Sequence, residues 1–218
     1  MLASRLGYVY VDSGAMYRAV ALRCYEEGVQ PDNDSAVAAV AAGTDIKFAP
    51  GPNGSEEQRV IVDNVDSTSA IRSPEISQLA SSVSANPKVR ETLVAKQREL
   101  GSKGGIVMDG RDIGTVVLPD AEVKVFLTAS LEERARRRFL EFEQKGSQDV
   151  SFEQVRADIA ERDERDSTRA VSPLVPASDA VIIDSEEMPA RQVVDAILDL
   201  CASRMVPTTR VKMQIPSL

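Results

Sequence analysis

The chain changes its rhythm of apolar and polar positions several times, and each change marks an element. Residues 8–11 are a short run of β-formers that stops at Asp12-Ser13-Gly14, and residues 15–27 then read as a helix closed by Gly28. The result is a strand-turn-helix unit. Residues 35–42 are an Ala/Val-rich helical stretch. Residues 45–49 and 59–64 read as two strands joined through Pro50-Gly51-Pro52-Asn53-Gly54, an antiparallel hairpin inserted in the domain. Helical patterns follow over 73–84 and 87–100, with Pro74 and Pro87 at or near the starts, where a missing N–H costs nothing.

Residues 105–108, 123–127 and 180–183 are compact apolar runs that end in polar turn residues, the pattern of buried parallel strands. Two helices lie between them, opened by capping-box spacings at Ser130-Leu131-Glu132-Glu133 and Ser151-Phe152-Glu153-Gln154. A last helix spans 189–204, and 206–218 is a tail with two prolines. Strands alternating with helices predict an α/β fold, a doubly wound parallel sheet whose ligands sit at the C-terminal strand ends. With 218 residues and no internal repeat, one domain with a subdomain is expected.

Composition narrows the chemistry. Hydrophobic residues make up 43% and charged residues 28%, as in chains that fold in water. No apolar run approaches the ~20 residues of a membrane span, and Met1 to Arg5 leaves no room for a signal-peptide core, so a cytoplasmic protein without a membrane partner is expected. Cys24 and Cys201 stand far apart, which fits apolar packing better than a disulfide or a structural metal site. Histidine is absent, which removes His-based triads and His-ligated metals. A net charge of −8 disfavours a nucleic-acid partner. Yet 19 Arg stand against 7 Lys, and Arg is the residue whose planar fork grips phosphate.

Three constellations could carry chemistry. Asp12-Ser13-Gly14-Ala15-Met16-Tyr17-Arg18 leaves a strand and opens a helix, where backbone N–H groups and the helix dipole favour an anion; the plainer alternative has Ser13 capping the helix while Tyr17 and Arg18 pack its first turns. Asp109-Gly110-Arg111-Asp112 follows an apolar strand. There Asp109 is placed like a carboxylate that helps hold Mg²⁺ beside phosphates, unless the segment is only a tight turn with a local salt bridge. Arg134, Arg137 and Arg138 lie on one helix, and Arg162, Arg165 and Arg169 recur at i, i+3 and i+7 with Asp163 and Asp166 between them. These helices are either a solvated face laced with salt bridges or a mobile lid jointed at Gly146 and Ser147.

Taken together, Asp12 to Ala19, Asp109-Gly110-Arg111-Asp112-Ile113-Gly114-Thr115-Val116-Val117, and Glu161-Arg162-Asp163-Glu164-Arg165-Asp166 running on to Arg169-Ala170-Val171 resemble the bacterial cytidylate kinases, from Leu2 to about Ser203. The resemblance implies a nucleoside-monophosphate-kinase fold that moves the γ-phosphoryl group of ATP to CMP or dCMP with Mg²⁺, and a single domain over 1–218. A monophosphate-binding insert over about 30–95 and a lid over about 130–170 are implied with it; a monomer is expected. By the same resemblance, Ser13, Tyr17 and Arg18 line the monophosphate site, and Ser81, Arg90 and Asp112 read the cytosine edge. Arg111, Arg162 and Arg169 hold the CMP phosphate, and Asp166 contacts the sugar. Arg134, Arg138 and Arg165 stand near ATP, and Arg162, Arg165, Arg169 and Asp109 are the catalytic set.

The resemblance departs from its family in one respect. Members begin with a strand leading into a GxxxxGK[ST] loop, and none of the 218 residues supplies that pattern, since Gly101-Ser102-Lys103-Gly104-Gly105 lacks the spacing and the following helix. Met1 to Gly7 is similar to the end of the helix that follows the loop. The expectation is an N-terminally truncated chain without the central strand of a 2-3-1-4-5 sheet, marginal in stability and inactive alone. The alternative is a non-catalytic nucleotide-binding fragment that keeps the CMP pocket.

Overall fold

A computed structural model describes residues 1–51, 58–144, 150–169 and 171–204. The Pro52-Asn53-Gly54 part of the predicted turn, the Gly146-Ser147 joint, Ala170 and the tail lie outside the described residues. Helix α1 (Leu2–Leu6) ends at Gly7, whose φ of 67° turns the chain left-handed into strand β1 (Val9–Asp12). Helix α2 (Ser13–Glu26) follows at once. Its cap is Asp12, not Ser13: Asp12 Oδ1 accepts the Ala15 N–H at 2.9 Å, and Ser13 is the first helical residue.

Helix α2 is apolar nearly all round, so burial on one face cannot satisfy it. Helices α3 (Asp34–Gly43), α4 (Pro74–Val83) and α5 (Pro87–Gly101), a 3₁₀ turn at Ala70–Arg72 and a small antiparallel sheet enclose it. That sheet pairs β2 (Ile46–Ala49) with β3 (Arg59–Val62), as the hairpin pattern predicts, and adds β4 (Val65–Asp66), too short for a periodicity to reveal. Every buried residue of the core cluster lies between Ala15 and Leu93. Met16, Val20, Cys24, Val37, Ile71, Val83, Val89 and Leu93 are closed off from water.

The parallel strands form two separate pairs among the described residues rather than one continuous sheet. Strand β1 pairs with β5 (Ile106–Asp109), and β6 (Val125–Thr128) pairs with β7 (Val181–Asp184). Nor are these strands buried on both faces. A two-strand ribbon leaves most of each strand with one covered side at best, and Val9, Leu127 and Ile182 are exposed. Beyond β5 the chain makes a π-helical turn at Ile113–Val117, whose last carbonyls accept from Arg98.

Helices α6 (Leu131–Gln144) and α7 (Phe152–Thr168) pack on each other, with Phe139 and Phe152 edge to face at 6.0 Å. Ser130 and Ser151 cap them through Oγ, each 3.1 Å from the N–H three residues on. Only half of the first capping box forms: the Ser130 N–H donates to Glu186, while Glu133 is held by Arg136 and Arg137. Helix α8 (Ala190–Arg204) closes the chain against α1. Cys24 and Cys201 are buried free thiols, and no helix among the described residues is long and apolar enough to cross a membrane.

Candidate functional site

Pairing of β1 with β5 sets Asp12 beside Asp109 at the C-terminal ends of two parallel strands. The Tyr10 hydroxyl donates to Asp109 Oδ1 at 2.9 Å, and Arg18, one turn into α2, reaches back to Asp12 Oδ2 at 2.6 Å. The Asp109 carboxyl is reached by solvent, yet the surrounding protein and the Asp12 charge push it up to about 6. Burial and the Asp109 carboxylate raise the Tyr10 hydroxyl in the same way. Gly110 lets the two strand-tip loops close on each other, since a Cβ there would fall 2.2 Å from Ser13 Oγ. The Asp-Gly segment is therefore a tight turn and a carboxylate-bearing strand tip at once.

Arg90, Asp112 and Tyr17 form a second group. Residues that read a base would face an open pocket, yet Arg90 and Asp112 are buried, at 3% and 5% exposure. They are buried because they neutralise each other through an Arg90 Nη2 to Asp112 Oδ2 ion pair, and a charge left alone there would be far costlier. The Arg90 guanidinium also stands 5.4 Å from the Tyr17 ring centre, while Arg90 Nε has no partner. Burial raises the Tyr17 hydroxyl above its ordinary value.

The third group joins the β5 tip to the two Arg-rich helices. Asp166, buried, stands 3.2 Å from Arg111 Nε, 3.7 Å from Arg162 Nε and 3.3 Å from Arg169 Nη1. Asp163 is shared between Arg134 and, at 3.9 Å, Arg111. Cations outnumber these two carboxylates, and the guanidinium groups act on one another. Desolvation and then the Arg111 charge hold Arg162 below its ordinary value, with Arg18 adding to the same effect; desolvation and then Arg90 do so for Arg169. Such mutual repulsion is relieved by a polyanion. Arg169 is not on the α7 face its spacing predicted: the helix ends at Thr168, and Arg169, in extended conformation, donates to the Ser172 carbonyl.

Two predicted residues stand apart and one is re-paired. Arg138 turns to Glu141, 2.7 Å away, and to the Phe142 ring, so in this conformation it belongs to a solvated helix face. Arg165 binds Glu161 and the Ser81 hydroxyl, which brings Ser81 to the Arg-rich helix rather than to the Arg90–Asp112 pair. Sequence reasoning gave no role to Tyr10, Asp12 or Asp163. Asp12 carried a readable signal, a carboxylate at the step from strand to helix; the Arg134–Asp163 contact spans two helices and carried none.

Comparison with known proteins identifies the family. The family model described as cytidylate kinase matches residues 1–203. The chain is 49% identical to the cytidylate kinase of Limosilactobacillus fermentum, over 90% of this chain and 85% of that protein. It is 47% identical to the cytidylate kinase of Desulfitobacterium hafniense, over 91% and 84% respectively. A bifunctional pantoate ligase/cytidylate kinase of Synechocystis matches 91% of this chain at 46% identity, over 39% of its own length. The chain belongs to the cytidylate kinase family, whose members have the nucleoside-monophosphate-kinase α/β fold.

Proposed function

We propose that this member of the cytidylate kinase family moves the γ-phosphoryl group of ATP to CMP or dCMP, and that the residues described here build the acceptor side. The observation that carries the proposal is the convergence of Arg18, Arg111, Arg162 and Arg169 on a site with too few carboxylates to neutralise them. Phosphoryl transfer needs chiefly positioning and charge stabilisation, and fixed guanidinium groups supply both without a nucleophilic side chain. Ser13, Tyr17 and Arg18 line the monophosphate; Arg111, Arg162 and Arg169 hold its phosphate and the charge that develops on transfer. Asp166 keeps those three arginines together and lies within reach of the sugar.

The buried Arg90–Asp112 pair supports cytosine recognition once the site opens to admit the base, with the ion pair itself kept. Asp112 uses one oxygen on Arg90, and Arg90 Nε carries no partner, so an acceptor for the 4-amino group and a donor for the ring edge stay available. Uracil, with a carbonyl at that position, would face the carboxylate. Residues 30–95 then form the monophosphate-binding insert and 130–170 the lid, with Arg134, Arg138 and Arg165 on the donor side, in a monomer acting on free nucleotides.

Asp109 fits a Mg²⁺ held mainly by phosphate oxygens and water. It is a solvent-reached carboxylate disfavoured as an anion by the surrounding protein and the Asp12 charge, and no cluster of three metal-binding side chains occurs among the described residues. When bound, the ion neutralises charge on the transferring phosphates; Tyr10 keeps the Asp109 carboxylate aimed at the strand end. No GxxxxGK[ST] segment occurs in the 218 residues, and among the described residues β5 and β6 each have one paired edge. The reading therefore assigns the ATP phosphate cradle to a strand and loop outside these residues that pair between β5 and β6.

Calorimetry and a coupled ADP assay test the proposal together. The 218-residue chain should bind CMP and dCMP in preference to UMP, and show CMP-dependent ATP consumption only once a strand and phosphate-binding loop are fused ahead of it. Equal binding of UMP would remove Arg90 and Asp112 from base recognition, and turnover by the unfused chain would refute the assignment of the ATP cradle.

A further inference from the structure

Asp12 holds two groups at once. Its Oδ1 caps α2 through the Ala15 N–H at 2.9 Å, and its Oδ2 takes Arg18 Nη2 at 2.6 Å. Both side chains of the ion pair are largely covered, at 20% and 26% exposure. Gly14 leaves the room they need, because a Cβ there would stand 3.1 Å from Arg18 Nη1 and 3.1 Å from Asp12 Oδ1. The backbone of this corner is braced as well: Gln58 accepts from the Asp12 N–H at 3.4 Å and donates to the Tyr10 carbonyl. The pair lines a cavity of about 150 Å³ together with Tyr10, Ala15 and Gln58. Arg18 Nε is buried there without a hydrogen-bond partner.

We propose that Asp12 is a positioning residue for the acceptor phosphate, acting through Arg18; the inference rests on the acceptor-site reading given above. A free arginine side chain loses much rotamer freedom when it grips a ligand, and that loss weakens binding. Asp12 imposes the loss in the unliganded protein. It takes one N–H of Nη2 and leaves the other donors, so an arriving phosphate meets a guanidinium already aimed. The same carboxylate holds the first turn of α2, and the fork and the helix N-terminus therefore keep a fixed relation.

Asp12→Asn separates the two tasks, because Asn caps helices as well as Asp does but carries no charge. Binding of CMP and of cytidine to the 218-residue chain is measured by calorimetry. For Asp12→Asn, CMP affinity should fall about tenfold, the size of one charge-assisted bond, while cytidine affinity and the melting temperature barely move. In an Arg18→Ala background the same substitution should change CMP affinity less than twofold. Gly14→Ala, which favours the helix but crowds the pair, should repeat the CMP-only loss and serves if Asp12→Asn folds poorly. Unchanged or tighter CMP binding by Asp12→Asn would overturn the proposal, the latter by showing that the carboxylate competes with phosphate. Equal losses for CMP and cytidine would overturn it in favour of a purely structural role. If the unsubstituted chain binds no CMP, the acceptor-site reading fails and this inference falls with it; CMP binding that Asp12→Asn leaves intact sinks this inference alone.

Discussion

The segment from Ala15 to Leu93 and the segment from β6 to α8 are held in opposite ways. The first wraps three helices and a hairpin sheet around α2, and the whole core cluster lies in it. The second buries Ala135, Val155, Val194 and Cys201 and otherwise relies on ion pairs across its helices and on a two-strand ribbon with Leu127 and Ile182 exposed. Recognition groups thus sit on a packed base, whereas the Arg-rich helices are tied by contacts that a charged ligand or solvent can replace. Substitutions in the first segment should register as stability, and those in the second as turnover.

The sharpest test of that contrast is Arg90, which belongs to both worlds. Arg90→Ala leaves the Asp112 charge buried and unpaired, so a loss of ~3–5 kcal/mol is expected. The double replacement Arg90→Met with Asp112→Leu should recover most of the stability in urea melts while cytosine preference stays lost. If the double replacement binds CMP over UMP as before, the pair is structural only.

Leu93→Ala, fully buried in the core cluster, should cost ~2–5 kcal/mol, against less than ~0.5 kcal/mol for the exposed Leu127→Ala. Comparable losses in the two variants would dissolve the distinction between the segments. Arg162→Ala should lower CMP turnover by ~10²-fold or more, as for removal of a fixed donor from developing charge. Desolvation and neighbouring cations disfavour the Arg162 charge, but its side chain is more than half exposed and solvent screens the effect, so the melting temperature should barely move. Near-normal turnover would return Arg162 to the solvated face.

Asp109 gives the smallest effect. Its carboxyl titrates at about 6 when folded, above the ordinary carboxylate value, so the folded state binds the proton more tightly than the unfolded chain. The resulting destabilisation is fully present above pH 6 and is relieved as pH falls from 6 towards 4. Asp109→Asn should raise the melting temperature at pH 7.5 by the equivalent of ~1 kcal/mol or less, since solvent reaches the group, and the gain should vanish below about pH 4. A gain independent of pH would point to a packing effect instead.

Much of this molecule was legible along the chain. The hairpin, the helices opened by Pro74 and Pro87, the serine caps and the strand tips at Asp12 and Asp109 follow from local pattern, because caps, turns and periodicity act over a few residues. The three motifs identified the family before any contact was known. Local pattern does not reach the pairing of side chains distant in the chain. Arg90 and Asp112 look like solvent-facing pocket groups until their 22-residue separation closes into a buried pair. Arg165 has the spacing of a phosphate ligand, yet it reaches Ser81, 84 residues away.

The sequence by itself determined which elements form and which residue types could bind phosphate. Only the tertiary structure decided which arginines share one site and which is neutralised by a buried carboxylate. The physical reason is one of range. Helix caps and hydrophobic periods are satisfied within a turn or a strand, whereas the state of a guanidinium depends on which carboxylates, rings and other cations the fold brings within a few ångströms of it.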